Sequence, residues 1–227
     1  MYIDYYYIVL VVPTIILSII AQFMVKSTFS KYSKITCSKR ITGQDAAALL
    51  MKVNSIRDVS IEADGGSLTD HYDPSAKKLR LSEPVYGVPS IAAVGVAAHE
   101  TGHAIQHAVH WSPLFLRSTL VPVANIGSSI GPWLAIAGLA LSFPILINIG
   151  ILLFGGAVLF YVITLPVEFN ASNRAIKILR ANKVLTEQEL KGVKKVLTAA
   201  AMTYVASALT AIMSLLRLIL LSRSRRR

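Results

Sequence analysis

Ala97-Ala98-His99-Glu100-Thr101-Gly102-His103-Ala104-Ile105-Gln106-His107 contains the pattern H-E-x-x-H. On an α-helix, residues four apart differ by about 40° in direction and about 6 Å in height, so His99 and His103 can reach one ion. Glu100 stands about 100° round the helix, placed to touch a water on that ion rather than the ion itself. The preceding run Ile91-Ala92-Ala93-Val94-Gly95-Val96 is small and apolar, and Ser90 sits at the N-cap position. The stretch therefore predicts a buried helix presenting two imidazoles to a zinc ion. A helix that carries two histidines by chance is the alternative, and a third ligand elsewhere in the chain decides between the two.

A catalytic zinc takes three protein ligands and keeps a fourth position open for water. One known continuation of H-E-x-x-H, the metzincin pattern, needs Gly three residues after the second His and His six after it. Gln106 and Val109 occupy those positions, which excludes it. His107 follows His103 at a spacing of four, but one helix does not readily wrap ligands from three successive turns round an ion. It reads better as a histidine at the rim of the site. The remaining option is a glutamate from a later helix, completing a His-His-Glu set. Glu168, in Leu165-Pro166-Val167-Glu168-Phe169-Asn170-Ala171-Ser172-Asn173-Arg174, is the candidate. An interfacial glutamate capping a helix that opens after Pro166 is the competing explanation. Ser172, four residues on, lies on the same face as Glu168 and is placed to support a ligand. His71, Tyr72, Asn173 and Arg174 are candidate donors to an oxyanion, with surface packing as the alternative for each.

The 227 residues are 54% hydrophobic and only 15% charged, with one cysteine and a formal net charge of +11. A charge fraction below the roughly 25% of soluble domains points to a membrane. The basic residues flank apolar runs, as membrane anchoring requires, and no zinc-finger, P-loop or G-x-G-x-x-G pattern is present, so nucleic acid is not the expected partner. Cys37, standing alone, excludes an internal disulfide and a cysteine-based metal site.

In order, the chain divides into a transmembrane anchor at residues 1–25, a zincin-like domain at 26–117 and a transmembrane hairpin at 118–166. A helical segment supplying the third ligand follows at 167–198, then a hydrophobic helix and basic tail at 199–227. Tyr5 to Val25 is long enough to cross a bilayer, with the Tyr5-Tyr6-Tyr7 run suited to the interface. Lys26, Lys31, Lys34, Lys39 and Arg40 follow it, which by the positive-inside rule puts the N-terminus outside and the catalytic domain in the cytoplasm. Within 26–117, Thr42-Gly-Gln-Asp45 opens a helix, and Val59–Ala63, Ser67–Tyr72 and Leu79–Ser82 read as a small antiparallel sheet. Residues 118–167 carry no charged side chain, and Ser142-Phe143-Pro144 is the expected hairpin turn. Ala199–Leu216 is apolar enough for a fourth span. That span would put the tail from Arg223 outside, against the positive-inside trend; either the helix stops short or the tail is an exception. The expected fold is a mostly helical α+β integral membrane protein with three to four spans.

Leu68-Thr-Asp-His-Tyr-Asp-Pro74, Leu79-Arg-Leu-Ser-Glu-Pro-Val85, the H-E-x-x-H stretch and Leu165-Pro-Val-Glu-Phe-Asn-Ala-Ser172 together resemble the bacterial YugP-type family of neutral zinc metallopeptidases. The likeness runs over nearly the whole chain, and in layout it is similar to the HtpX-like gluzincins. It implies Zn²⁺ as cofactor, His99, His103 and Glu168 as ligands, and Glu100 as general base. It also implies a multi-pass bacterial plasma-membrane location and protein or peptide substrates, membrane proteins among them. In gluzincins an edge strand holds the substrate backbone, a role expected here of Ser67–Tyr72. The competing class, a non-proteolytic membrane scaffold with a structural metal, would ordinarily show four closed Cys/His ligands, and no fourth is evident. A small transporter fits less well, because no ionisable residue lies inside the hairpin.

Overall fold

The computed structural model describes residues 4–224. Helices dominate. A π-helical turn at Tyr7–Val11 leads into α1 (Val12–Ser33), followed by α2 (Gly43–Val53), a short sheet, α3 (Glu83–Tyr86) and α4 (Ile91–Ala108). Three long helices complete the chain, α5 (Ser112–Ala140), α6 (Pro144–Ala181) and α7 (Glu187–Ser224). Among the described residues, four helices are long and apolar enough to cross a membrane: Tyr7–Ser33, α5, α6 and α7. The α+β membrane fold expected from the sequence is the fold observed.

The sheet is mixed rather than antiparallel throughout. β3 (Lys78–Ser82) lies in the middle, parallel to β1 (Ser60–Asp64) and antiparallel to β2 (His71–Asp73). The expected strand Ser67–Tyr72 survives only at its end. Gly66 and Leu68 adopt left-handed backbone conformations (φ 93° and 61°), which break an extended run before it reaches His71. Asp70 then fixes the connection, its carboxylate accepting hydrogen bonds from the Ser82 amide and hydroxyl at 2.8 Å each.

Two compact units divide the chain. The first gathers the N-terminal stretch to Gln22, Phe115–Pro166 and the stretch from Met202 onward; the second is Phe23–Leu114 with Val167–Ala201. Apolar side chains exposed on the first unit, such as Trp133, Leu141 and Leu152, are the surface a lipid phase would cover. Its hairpin turns where Pro144 prevents α5 from continuing. The two helices then pack through small residues, with Gly150 too close to the Gly131 carbonyl to carry a Cβ. Within this unit α1 and α7 run antiparallel, Ser18 Oγ lying 3.4 Å from Thr210 Oγ1 and Asp4 pairing with Arg217. The basic residues Arg225–Arg227 lie outside the described residues.

The second unit is built round α4. The Thr42–Asp45 capping box starts α2 as the sequence suggests, and Thr186 with Glu189 caps α7 in the same way. Ala93 and Ala97 of α4 pack on Leu79, Leu81 and Val85, while Val94 and Ala98 pack on Leu179, Leu185 and Val193. Ala104 and Ile105 meet Met51 and Ile56. A helix apolar on all sides belongs in a core, and this one is buried along nearly its whole length.

Candidate metal centre

Local sequence positions α4. The Ser90 hydroxyl accepts from the Ala93 amide at 3.1 Å, satisfying one of the helix's free N–H groups. Small residues on α4 let neighbouring elements approach closely. Gly102 is the sharpest case: a Cβ there would lie 2.6 Å from the Ala171 carbonyl oxygen, so the backbones of α4 and α6 touch. That contact falls one helical turn beyond Glu168 and sets the carboxylate beside the histidines. Glu168 does not open a helix after Pro166. α6 runs unbroken from Pro144 to Ala181 with Pro166 inside it, so helix capping does not account for this acid.

His99 Nε2 lies 3.2 Å from Glu168 Oε2, and His103 Nε2 lies 3.6 Å from the same oxygen. One donor atom from each of the three residues falls within 4.8 Å of the others. The imidazole rings stand nearly perpendicular, with centroids 4.8 Å apart. Glu168 is 2% exposed and His103 8%. The far side of each ring is also engaged. His99 Nδ1 lies 3.1 Å from Ser172 Oγ, and His103 Nδ1 lies 3.0 Å from Gln106 Oε1. Gln106 in turn donates to the Val167 carbonyl at 2.9 Å and to Asn170 Oδ1 at 3.1 Å, and Arg174 Nε donates to the same Asn170 oxygen. Oxygen partners at both Nδ1 positions favour the tautomer that leaves each Nε2 lone pair facing its neighbours.

Burial works against a proton on His103, but its hydrogen bond to Glu168 and the nearby carboxylate charges outweigh this and raise its pKa. Desolvation pushes the Glu100 carboxyl up, Glu168 and Asp70 add to the shift, and His99 and His103 oppose it. Glu100 is half-buried and is not among the three clustered donors.

This donor set fits zinc. Two neutral imidazole nitrogens and one carboxylate oxygen leave a position open, and bond lengths of about 2.0–2.1 Å in a tetrahedron put ligand atoms about 3.3 Å apart. The observed 3.2 and 3.6 Å bracket that spacing.

The other residues singled out from the sequence lie variously. Tyr72 Oη is 2.8 Å from His107 Nδ1, so His107 sits against the edge strand β2 and outside the donor cluster. Partial burial raises the Tyr72 phenol to about 12, with Asp58 and Asp73 adding to the shift. His71, exposed on β2, is held by the Thr69 carbonyl and Arg80. Asn173 is exposed on α6. Sequence reasoning passed over Gln106 and Asn170, although a glutamine three residues after His103 in an otherwise apolar helix was a readable signal.

The donors and the apolar helices are, at the level of class, those of a membrane zinc peptidase. The chain belongs to the family described as "Putative neutral zinc metallopeptidase", whose profile matches residues 7–223. It is 47% identical over 215 residues to "Putative membrane protease YugP" of Bacillus subtilis (strain 168), a match covering 95% of this chain and 96% of that protein. No solved structure matches the chain.

Proposed function

We propose that this protein is a gluzincin-type membrane endopeptidase in which His99, His103 and Glu168 hold zinc and Glu100 is the general base. The observation that carries this reading is the convergence of two imidazole Nε2 atoms on one buried carboxylate, with both Nδ1 atoms already engaged. Zinc bound there supplies Lewis-acid activation of a water at neutral pH and polarises the scissile carbonyl.

The chain's own residues do the rest. The Glu100 carboxylate takes up the proton released by the attacking water and returns it to the leaving amide nitrogen. Ser172 and Gln106 hold His99 and His103 in orientation, and Gln106 ties the second ring to α6 through Val167 and Asn170. The substrate backbone adds beside β2, the sheet edge whose Tyr72 meets His107 at the end of α4. Tyr72, with its phenol kept protonated through the physiological range, is the donor best suited to a developing oxyanion. Lysines 26, 31, 34 and 39 after the first span support a cytoplasmic catalytic unit, with substrates drawn from proteins at the membrane surface.

The test compares purified wild type with Glu100→Gln on a peptide library, with zinc measured on the same samples. Loss of the general base is expected to lower kcat/KM by about 10²–10⁴-fold while zinc stays bound. Unchanged cleavage by Glu100→Gln would refute the mechanism.

A further inference from the structure

The second unit contains a groove of about 990 Å³ that no step of peptide hydrolysis uses. It is lined by the lower part of α1, by Ile91 at the start of α4 and by the first turns of α7. Its character changes along its length. Met24, Thr198 and Ala199 line one end, within a few residues along the chain of the points where α1 and α7 pass into the apolar unit. Lys31, Lys191, Lys194 and Lys195, all exposed, line the other.

The floor is closely fitted, since a Cβ at Gly192 would come within 2.8 Å of the Tyr32 ring and 2.9 Å of Ile91 Cγ2. Glu189, the one carboxylate in the lining, is turned away from the lysines. Its oxygens accept from the Ser38 amide at 2.6 Å, the Thr186 amide at 2.7 Å and the Thr186 hydroxyl at 2.9 Å. None of the four lysines pairs with a carboxylate among the described residues.

We infer that this groove binds one anionic glycerophospholipid, its phosphate among Lys31, Lys191, Lys194 and Lys195 and its acyl chains running over the Ile91 floor toward Met24 and Ala199. Charge complementarity selects an anion. The apolar end selects one that carries hydrocarbon, and the volume is at the upper end of ligand pockets. An acidic peptide would satisfy the lysines and leave the apolar half uncovered. Each lysine near a membrane surface contributes about a fivefold preference for anionic lipid. Occupancy would join α1 to α7 at the level of the headgroups.

The experiment is native mass spectrometry of the full-length, delipidated protein titrated with phosphatidylglycerol or with phosphatidylcholine of matched acyl chains. One phosphatidylglycerol is expected to bind in clear preference to phosphatidylcholine. The triple variant Lys31→Gln/Lys194→Gln/Lys195→Gln should lose roughly 100-fold in that affinity. Thr198→Trp, which fills the apolar end without altering charge, should also weaken binding, whereas Lys52→Gln/Lys177→Gln, away from the groove, should bind as wild type. Equal affinity for the two lipids, or an unchanged triple variant, would overturn the assignment. So would displacement of the lipid by inorganic phosphate or by a polyglutamate peptide.

Discussion

Two acids, half-buried Asp4 in one unit and buried Glu168 in the other, have been given different company. Asp4, in the apolar unit, accepts two hydrogen bonds from Arg217, at 2.8 Å from Nε and 2.5 Å from a terminal nitrogen, and one from the Tyr7 amide at 2.9 Å. The guanidinium also lies over the Tyr7 ring, 5.1 Å from its centroid. That carboxylate has a permanent cation from its own chain. Glu168 faces two imidazoles whose other nitrogens are already engaged, so both Nε2 atoms and the carboxylate oxygen turn toward one another. A buried carboxylate is costly unless matched by positive charge. The first arrangement is an ion pair between residues far apart in the chain, while the second is a set of three donors that one metal ion could bridge.

The comparison can be broken from either side. The largest stability effect is expected at the Asp4–Arg217 pair. Asp4→Ala strands the Arg217 charge and should destabilise the protein by about 3–5 kcal/mol, read as thermal unfolding in detergent micelles. Replacing both residues, as Asp4→Leu/Arg217→Leu, should recover most of that loss. A double variant as unstable as the single would mean that the pair does more than satisfy itself.

At the metal centre, Gln106→Ala frees the His103 ring and should lower zinc affinity by about 10–100-fold in a competitive chelator titration, with the fold retained by circular dichroism. Zinc affinity equal to wild type would reduce Gln106 to a packing residue. The smallest effect is expected from Gly102→Ala, where the new methyl meets the Ala171 carbonyl and α4 must shift from α6. A cost of about 1–3 kcal/mol is anticipated, together with weaker zinc binding as Glu168 moves back.

The contrast also separates what the sequence reveals from what it hides. Spacing along one helix is local, so His99, His103 and the position of Glu100 follow from the 3.6-residue period, and Ser90 and Thr42 cap the helices they precede. Composition and apolar runs likewise revealed the membrane helices and the turn before Pro144. Contacts between distant segments are less legible. Glu168 stood out as an acid in an apolar context and through the family resemblance. Its place within one helix running through Pro166 was not expected, because proline ordinarily ends a helix. The Asp4–Arg217 pair spans nearly the whole chain and left no local trace beyond an unexplained arginine in an apolar run. The parallel β1–β3 pairing escaped for the same reason: strand alternation gives the face of each strand but neither its partner nor its direction.

The measurement bearing most directly on the central claim is zinc content, by elemental analysis, of Glu168→Ala beside wild type after identical dialysis against a weak chelator. Wild type should retain close to one zinc per chain while Glu168→Ala falls to background, with its helical content unchanged. Full zinc retention by a folded Glu168→Ala protein would contradict the account, because the acid buried beside His99 and His103 would then not be a ligand.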